Sequence, residues 1–167
     1  RRYFDTLCAL VEKRMPDGSG SNVIAAPRTS TTEWGYVFDH CTIRSDVSNF
    51  TFARAWHTHP RCVWLHTRIE SPELLKSTRF DPQGIRAANV VFGEYGTTDG
   101  QGRNITPESN VLHFVGKEEE STQETIIGPE EAARFTVKNV YGKWEPDKIV
   151  RLLEKKIAKL KGKYFNK

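Results

Sequence analysis

The sequence lacks any long hydrophobic run. Its longest apolar stretches, such as residues 23–26 and 90–92, are a few residues long, whereas a membrane-spanning helix needs about 20 apolar residues. We therefore expect no segment that spans a membrane. The chain also opens on Arg1, with no methionine, charged n-region or apolar h-region, so we expect the start of the protein to lie upstream.

Cysteine is scarce as well. The three cysteines, Cys8, Cys41 and Cys62, cannot all pair with one another. Each stands among apolar neighbours, which is typical of a buried thiol. We therefore expect buried free thiols rather than a disulfide framework.

A broad excess of positive charge is also missing, although the net charge is +4. Residues 148–167 carry eight Lys or Arg and one Glu, a net charge of +7, which leaves −3 for residues 1–147. The sequence pI near 9.0 thus describes a basic C-terminal segment and not a basic binding face. We expect no nucleic-acid partner.

Short β-strands dominate the secondary structure that the sequence predicts. Hydrophobic residues make up 37% and aromatic residues 11% of the 167 residues, enough for one domain, or a large part of one, with a real core. Short apolar and β-branched runs alternate with turn residues, as in all-β folds. These runs are residues 22–26, 36–43, 50–55, 62–69 and 87–95.

A weak internal repeat underlies these strands. Residues 36–43 are echoed by residues 3–10 and again by residues 61–69. Such repeats suit a solenoid, in which each coil stacks its inward side chains on those of the next coil. A β-sandwich also produces short strands joined by turns, so periodicity leaves the two architectures open.

Two helices are predicted near the C-terminus. Residues 128–135 place a proline and two glutamates at a helix start. Residues 146–161 have apolar positions at helical spacing and lysines on the other faces, which predicts a basic amphipathic helix. We expect this helix to be a cap or linker, with an anionic membrane surface or nucleic acid as alternative contacts. Its apolar positions are Ile149, Leu152, Leu153, Ile157 and Leu160.

The segment His57-Thr58-His59-Pro60 carries the first candidate chemistry. It resembles the His-x-His-Pro motif of the JAMM metalloproteases, and Thr67 and Glu70 stand where that family has Ser and Asp. The longer Glu side chain displaces a ligand from a site that tolerates only small shifts. A JAMM-like zinc hydrolase using His57 and His59 is one alternative function. We expect no metal and no cofactor.

A second signal is an ordered series of motifs over about residues 3–146. The series comprises FDTLC (4–8), NVIAAP (22–27), GYVFDHCTI (35–43), FARAW (52–56), FGEY (92–95) and AARFTVKNVYGKWEP (132–146). No single motif is specific, but their order resembles the C-terminal portion of the pectin methylesterases, the pectinesterase family of carbohydrate esterases.

This resemblance implies an all-β fold, a right-handed parallel β-helix with short C-terminal helices. It implies hydrolysis of the methyl esters of galacturonate residues in pectin, without a metal, by a secreted, periplasmic or extracellular protein. In the family one Asp attacks the ester carbonyl and a second Asp acts as acid and then base. Those residues belong to segments upstream of this chain, so we expect the N-terminal part of the same protein as a partner.

Only part of the family's site has a counterpart here. Arg54 matches the Arg that orients the nucleophile, and its planar fork can hold a carboxylate through two hydrogen bonds. Trp56 matches the aromatic residue that stacks on a sugar ring. His57, His59 and Arg61 follow directly and are candidates to bind galacturonate carboxylates.

The resemblance also sets the predicted organisation of the chain. Residues 1–146 form the C-terminal part of a pectinesterase-like β-helix, and residues 147–167 form the basic amphipathic helix. The leading alternative without catalysis is a β-helix that binds pectin and does not hydrolyse it.

Overall fold

The computed structural model describes residues 7–10, 22–24, 33–55, 59–83, 90–115 and 120–165. The helices are α1 (Pro129–Ala132), α2 (Val137–Tyr141) and α3 (Pro146–Phe165), with a short 3-10 helix at Pro72–Leu74. The strands are β1 (Leu7–Leu10), β2 (Asn22–Ile24), β3 (Tyr36–Asp39), β4 (Thr42–Ser45), β5 (Thr51–Arg54), β6 (Arg61–Leu65), β7 (Arg68–Ile69), β8 (Phe80–Asp81), β9 (Val91–Tyr95), β10 (Thr98–Asp99), β11 (Val111–Val115) and β12 (Glu120–Glu124).

Ten of these strands form three parallel sheets. Sheet 1 has the order β1-β4-β7-β10, sheet 2 the order β2-β5-β8 and sheet 3 the order β3-β6-β9. Every pairing within these sheets is parallel. Successive strands therefore visit sheets 1, 2 and 3 in turn, and each return pairs with the strand of the previous round. The described chain is all-β in character, as predicted, with a few helices near its end.

The repeat seen in the sequence reappears in the strand register. Phe38 pairs with Trp64, and Ile43 pairs with Ile69, so residues 36–43 lie directly on residues 62–69. The echo at residues 3–10 predicts a register two residues away from the observed one, because it aligns Cys8 with Cys41 whereas Cys8 pairs with Ile43. That part of the repeat alignment is wrong.

Two of the predicted strand runs are each divided in two. The run 36–43 covers β3 and the start of β4, which are separated at His40, and the run 62–69 covers most of β6 and all of β7, which are separated at His66. Both histidines have positive φ, +53° and +48°. A residue in the left-handed region cannot continue an extended strand, so the chain turns there from sheet 3 into sheet 1.

The core of the sheets is built from stacked aromatic side chains. The ring of Trp64 stacks on Phe38 at 4.0 Å and on Phe52 at 5.1 Å, and Phe80 stacks on Phe92 at 4.7 Å. Trp64, Phe52 and Phe80 are fully buried. Burial of each such ring contributes about 1.5–3 kcal/mol, and the strands that carry these rings are held in register by it.

The cysteine prediction is confirmed for two of the three residues. Cys41 and Cys62 are buried thiols, and burial raises the pKa of the Cys62 thiol far above its usual range. The Cys8 side chain lies outside the described residues.

The strands and α1 belong to one compact unit, Arg1–Ala132, which also contains the antiparallel pair β11 and β12. The predicted helix at 128–135 is shorter than expected, since α1 ends at Ala132.

The second compact unit is Ala133–Lys167. The Thr136 side chain accepts a hydrogen bond from the Asn139 backbone N–H and so starts α2, and Gly142, with φ of +58°, follows the end of that helix. The predicted helix at 146–161 is α3, in which the five apolar positions are 46–54% exposed. None of the described helices combines the length and apolar character that a membrane span requires.

Candidate functional site

Arg54 is the last residue of β5 and is partly buried. Its neighbours Ala53 and Ala55 are fully buried, and the Ala55 N–H donates to the Asp81 carbonyl at 2.7 Å. A backbone that is paired and packed on both sides of a residue restricts where its side chain can reach. The position of Arg54 is therefore fixed by the sheet rather than by a loop.

Asp81 is the register neighbour of Arg54 on the adjacent strand β8. Its carboxylate accepts from the Gln83 backbone N–H at 3.3 Å and from Gln83 Nε2 at 3.0 Å. No sequence motif marks this acidic residue, because residues 81–84 have the composition of a loop. Only the pairing of β5 with β8 shows that the Asp81 carboxylate belongs to the residue next to Arg54, at the same end of sheet 2.

His59 lies on the connection from β5 to β6, and Arg61 stands where that connection ends. His59 is exposed with φ of +57°, and Arg61 is the first residue of β6. The Arg61 Nη1 donates to the Glu33 carbonyl at 3.0 Å, and the Arg61 Cβ lies so close to Gly35 that a Cβ on that glycine would meet it at 2.3 Å. One nitrogen of the Arg61 guanidinium is thus engaged by the backbone just before β3.

The other two candidate residues, Trp56 and His57, lie outside the described residues. In the sequence they stand between Arg54, the last residue of β5, and Arg61, the first residue of β6. The sequence therefore concentrates its candidate residues on one connection between sheets 2 and 3. Arginine side chains, and histidine side chains when protonated, can bind carboxylates.

The remaining residues of the JAMM-like pattern are engaged in other contacts. Thr67 is fully buried and its hydroxyl donates to the Leu65 carbonyl at 3.4 Å. The Glu70 carboxylate accepts from Arg44 Nε at 2.6 Å, and this hydrogen bond lowers the pKa of Glu70. Neither observation favours these residues as zinc-site partners of His59.

The fold brings together a second group of polar residues that no sequence motif marks. Asp39, His40 and His66 offer ligand atoms that all lie within 4.8 Å of one another, at the turn from sheet 3 into sheet 1. The repeat carried the signal, because aligning residues 36–43 with residues 62–69 places His40 on His66. The predicted strands 36–43 and 62–69 include both histidines, so the sequence did not indicate the turns at these positions.

Two proteins of Arabidopsis thaliana match this chain. The first, "Probable pectinesterase 49", is 37% identical over 82 residues, which are 47% of this chain and 22% of that protein. The second, "Putative pectinesterase 63", is 28% identical over 83 residues, which are 48% of this chain and 25% of that protein. No family model matches the chain, and no solved structure matches it significantly.

These matches support a pectinesterase-like relationship. Each matched segment spans about a quarter of the curated relative, or slightly less, and just under half of this chain. Both relatives are named as pectinesterases, and the likeness extends over these segments alone.

Proposed function

We propose that this chain is the C-terminal part of a pectin methylesterase, which hydrolyses the methyl esters of galacturonate residues in pectin. The observation that carries the proposal is the match to a pectinesterase at 37% identity over 82 residues. The order of motifs over residues 3–146 and the position of Arg54 at the end of a parallel strand are consistent with it.

The fold we propose is a right-handed parallel β-helix. Three parallel sheets visited in a fixed order are the topology that a solenoid of three-stranded coils requires. Crossover connections between parallel strands are right-handed in about 98% of cases. Buried residues at equivalent register positions, such as Ile43, Ile69 and Asp99 in sheet 1, support the stacking of successive coils.

The reaction is a two-step acyl transfer. A carboxylate attacks the ester carbonyl carbon, the C–O bond to the methoxy group breaks, and a carboxylic acid gives its proton to the departing methoxide, which leaves as methanol. Water then attacks the acyl-enzyme, loses its proton to the second carboxylate and releases the galacturonate acid. We propose that both carboxylates come from the N-terminal part of the same protein.

Arg54 has the role of orienting the nucleophile. Its guanidinium presents parallel N–H donors that match the two oxygens of a carboxylate and favour the ionised form. The fixed backbone on either side, between the buried Ala53 and Ala55, limits the directions that this fork can adopt. Asp81, the register neighbour of Arg54, carries another carboxylate. It would compete with the nucleophile for the N–H donors of Arg54 or share them with it.

Substrate contacts come from the connection that follows Arg54. Trp56 would offer a flat apolar surface to a pyranose ring. His57, His59 and Arg61 would bind carboxylates of the galacturonate chain, which explains how a unit with a slightly acidic sequence would hold an acidic polymer. The proposed site of action is outside the cytoplasm, in a secreted or periplasmic protein.

In this proposal residues 1–146 belong to the β-helix and residues 147–167 form the basic helix as a cap or linker. The N-terminal part of the protein would cover the first coil. An uncovered strand edge exposes unpaired backbone groups that favour aggregation, so the contact would serve stability as well as catalysis.

The experiment compares hydrolysis with binding. The full-length protein is incubated with highly methyl-esterified pectin and with polygalacturonate, with and without a chelator, and both released methanol and bound polymer are measured. The proposal predicts methanol release that the chelator leaves unchanged. Binding without methanol would indicate the non-catalytic pectin-binding β-helix, and methanol release abolished by the chelator would favour the JAMM-like alternative at His57 and His59.

A further inference from the structure

The turn from sheet 3 into sheet 1 places two histidines on one another. The His40 N–H donates to the Leu65 carbonyl at 2.9 Å, and the His66 N–H donates to the Tyr95 carbonyl at 2.8 Å. The same backbone geometry thus occurs in two successive rounds of the chain. The two imidazole rings stack, with centroids 4.6 Å apart and planes inclined by 30°.

Both histidines occupy a backbone position that glycine adopts without strain. In the next round, the equivalent residue is Gly96, with φ of +67°, close to the values of +53° and +48° at His40 and His66. Left-handed backbone costs about 1–2 kcal/mol for a residue with a Cβ and nothing comparable for glycine. Strained backbone of this kind is often found at functional sites. The contacts of the two histidine rings are therefore of interest.

Both rings contact one carboxylate oxygen. Asp39 Oδ1 lies 2.8 Å from His40 Nδ1 and 2.9 Å from His66 Nδ1. The edge of the Tyr95 ring packs against His66, with centroids 5.5 Å apart, which restricts rotation of that imidazole. The three side chains are 27–59% exposed, so the group is open to solvent.

We propose that Asp39, His40 and His66 form a binding site for a divalent transition-metal ion of the Zn²⁺ class. Two imidazole nitrogens and one carboxylate oxygen are the ligands that Zn²⁺, Co²⁺, Ni²⁺ and Cu²⁺ prefer, whereas Ca²⁺ and Mg²⁺ prefer oxygen alone. Three protein ligands leave a coordination position for water, which the exposed side of the group can supply.

Binding of an ion requires the three side chains to adjust. In a tetrahedral zinc site with bonds of about 2.0–2.1 Å, neighbouring ligand atoms are roughly 3.3 Å apart. The Asp39 oxygen would therefore move away from each Nδ1 by roughly half an ångström. The ligand atoms, which now lie within 4.8 Å of one another, would all have to reach this common spacing through rotation of the three side chains, and each imidazole bound through Nδ1 would carry its proton on Nε2.

The bound ion would join two successive rounds of the chain. His40 and Asp39 belong to the turn after β3 and His66 to the turn after β6, so the metal would stabilise the folded state by mass action. This site is distinct from the His57 and His59 segment. The metal-site proposal does not depend on the esterase proposal, because none of the candidate esterase-site residues from Arg54 to Arg61 is a ligand.

The test is a titration of the metal-free full-length protein with ZnCl2, followed by calorimetry and by the melting temperature. We expect about one ion per chain at this site and a higher melting temperature with zinc. The variants Asp39→Asn and His40→Gln/His66→Gln should weaken binding by more than about tenfold, since the first removes the negative charge of the carboxylate and the second removes both imidazole nitrogens. His113→Gln, which alters an exposed histidine of β11, is the matched control and should bind zinc as the wild type does.

Melting curves without zinc show whether the variants remain folded, and Co²⁺ absorption reports the ligand set directly in each folded variant. The absence of zinc binding by the wild type would overturn the proposal. It would also be overturned if binding persisted in His40→Gln/His66→Gln and disappeared in His57→Gln/His59→Gln. Methanol release has no part in these outcomes, so failure here leaves the esterase proposal standing.

Discussion

Nε of Arg79 lies 3.3 Å from Oε2 of Glu94, and both side chains are at most 10% exposed within the strand-rich unit. Arg79 also donates from Nη2 to the Ile105 carbonyl at 2.6 Å. Burial raises the pKa of Glu94, and the charge of Arg79 opposes that rise only in part. In a buried ion pair of this kind, each charge is compensated by the other and not by water.

Removing one partner of this pair should therefore be costly. We expect Glu94→Leu or Arg79→Met to lower the free energy of unfolding by about 3–5 kcal/mol, because each leaves a buried group without its counter-charge. The double variant Arg79→Met/Glu94→Leu should lose much less than the sum of the single variants. Urea denaturation of the four proteins measures this coupling, and strictly additive losses would show that the pair is not an energetic unit.

Stability at low pH should depend on Asp99. Burial opposes its ionisation, but hydrogen bonds from Arg103 and Gln101 outweigh burial and lower the pKa of Asp99. An Asp pKa that is lower in the folded state stabilises the fold above the unfolded value of about 3.9, and the contribution is lost as pH falls through the folded value. Melting temperatures measured from neutral pH down to about pH 2 should fall less steeply for Asp99→Asn than for the wild type. Identical slopes would contradict this assignment.

Gly35 should tolerate no side chain. It has φ of +69°, and a Cβ there would meet the Arg61 Cβ at 2.3 Å and the Arg61 carbonyl oxygen at 2.7 Å. Gly102 is the matched control, with φ of +82° and open space around it. Strain alone should cost Gly102→Ala about 1–2 kcal/mol, and Gly35→Ala should lose about 1–3 kcal/mol more because the clash displaces the start of β6. Equal losses in thermal unfolding would show that the close approach to Arg61 is unimportant.

Trp56 is predicted to bind a sugar ring in both the ground state and the transition state. Trp56→Ala should then raise KM for esterified pectin by about 2- to 10-fold, the range expected for a lost stacking contact, and leave kcat nearly unchanged. Trp56→Phe retains an aromatic face and should recover most of the loss. A fall in kcat with unchanged KM would assign Trp56 to the reacting centre instead.

The sequence predicted the secondary structure well where a regular apolar pattern or a motif was clear. Alternation and short apolar runs located most of the parallel strands, and the repeat aligned Ile43 with Ile69 as observed. The strands β11 and β12 were missed. Leu112 and Phe114 are buried, but Val111 and Val115 are exposed apolar residues on the opposite face, so the alternation was obscured.

The candidate site was predictable only in part. Arg54 follows from a motif along the chain, whereas its neighbour Asp81 is brought to it by strand pairing, which no local pattern encodes. The stacking of His40 on His66 also depends on register. It was concealed because a histidine within an apolar run looks like a continuing strand until its positive φ is known.

The most direct test of the central claim is the rate of methanol release from esterified pectin by the full-length protein and by its Arg54→Lys variant. Lysine keeps the charge but loses the two-pronged geometry, and a misplaced nucleophile costs about 100-fold in rate. We predict methanol release by the wild type, a fall in kcat of about that size in Arg54→Lys, and equal melting temperatures for the two proteins. Equal rates would contradict the role of Arg54, and no methanol from the folded wild type at neutral or mildly acidic pH would contradict the esterase itself.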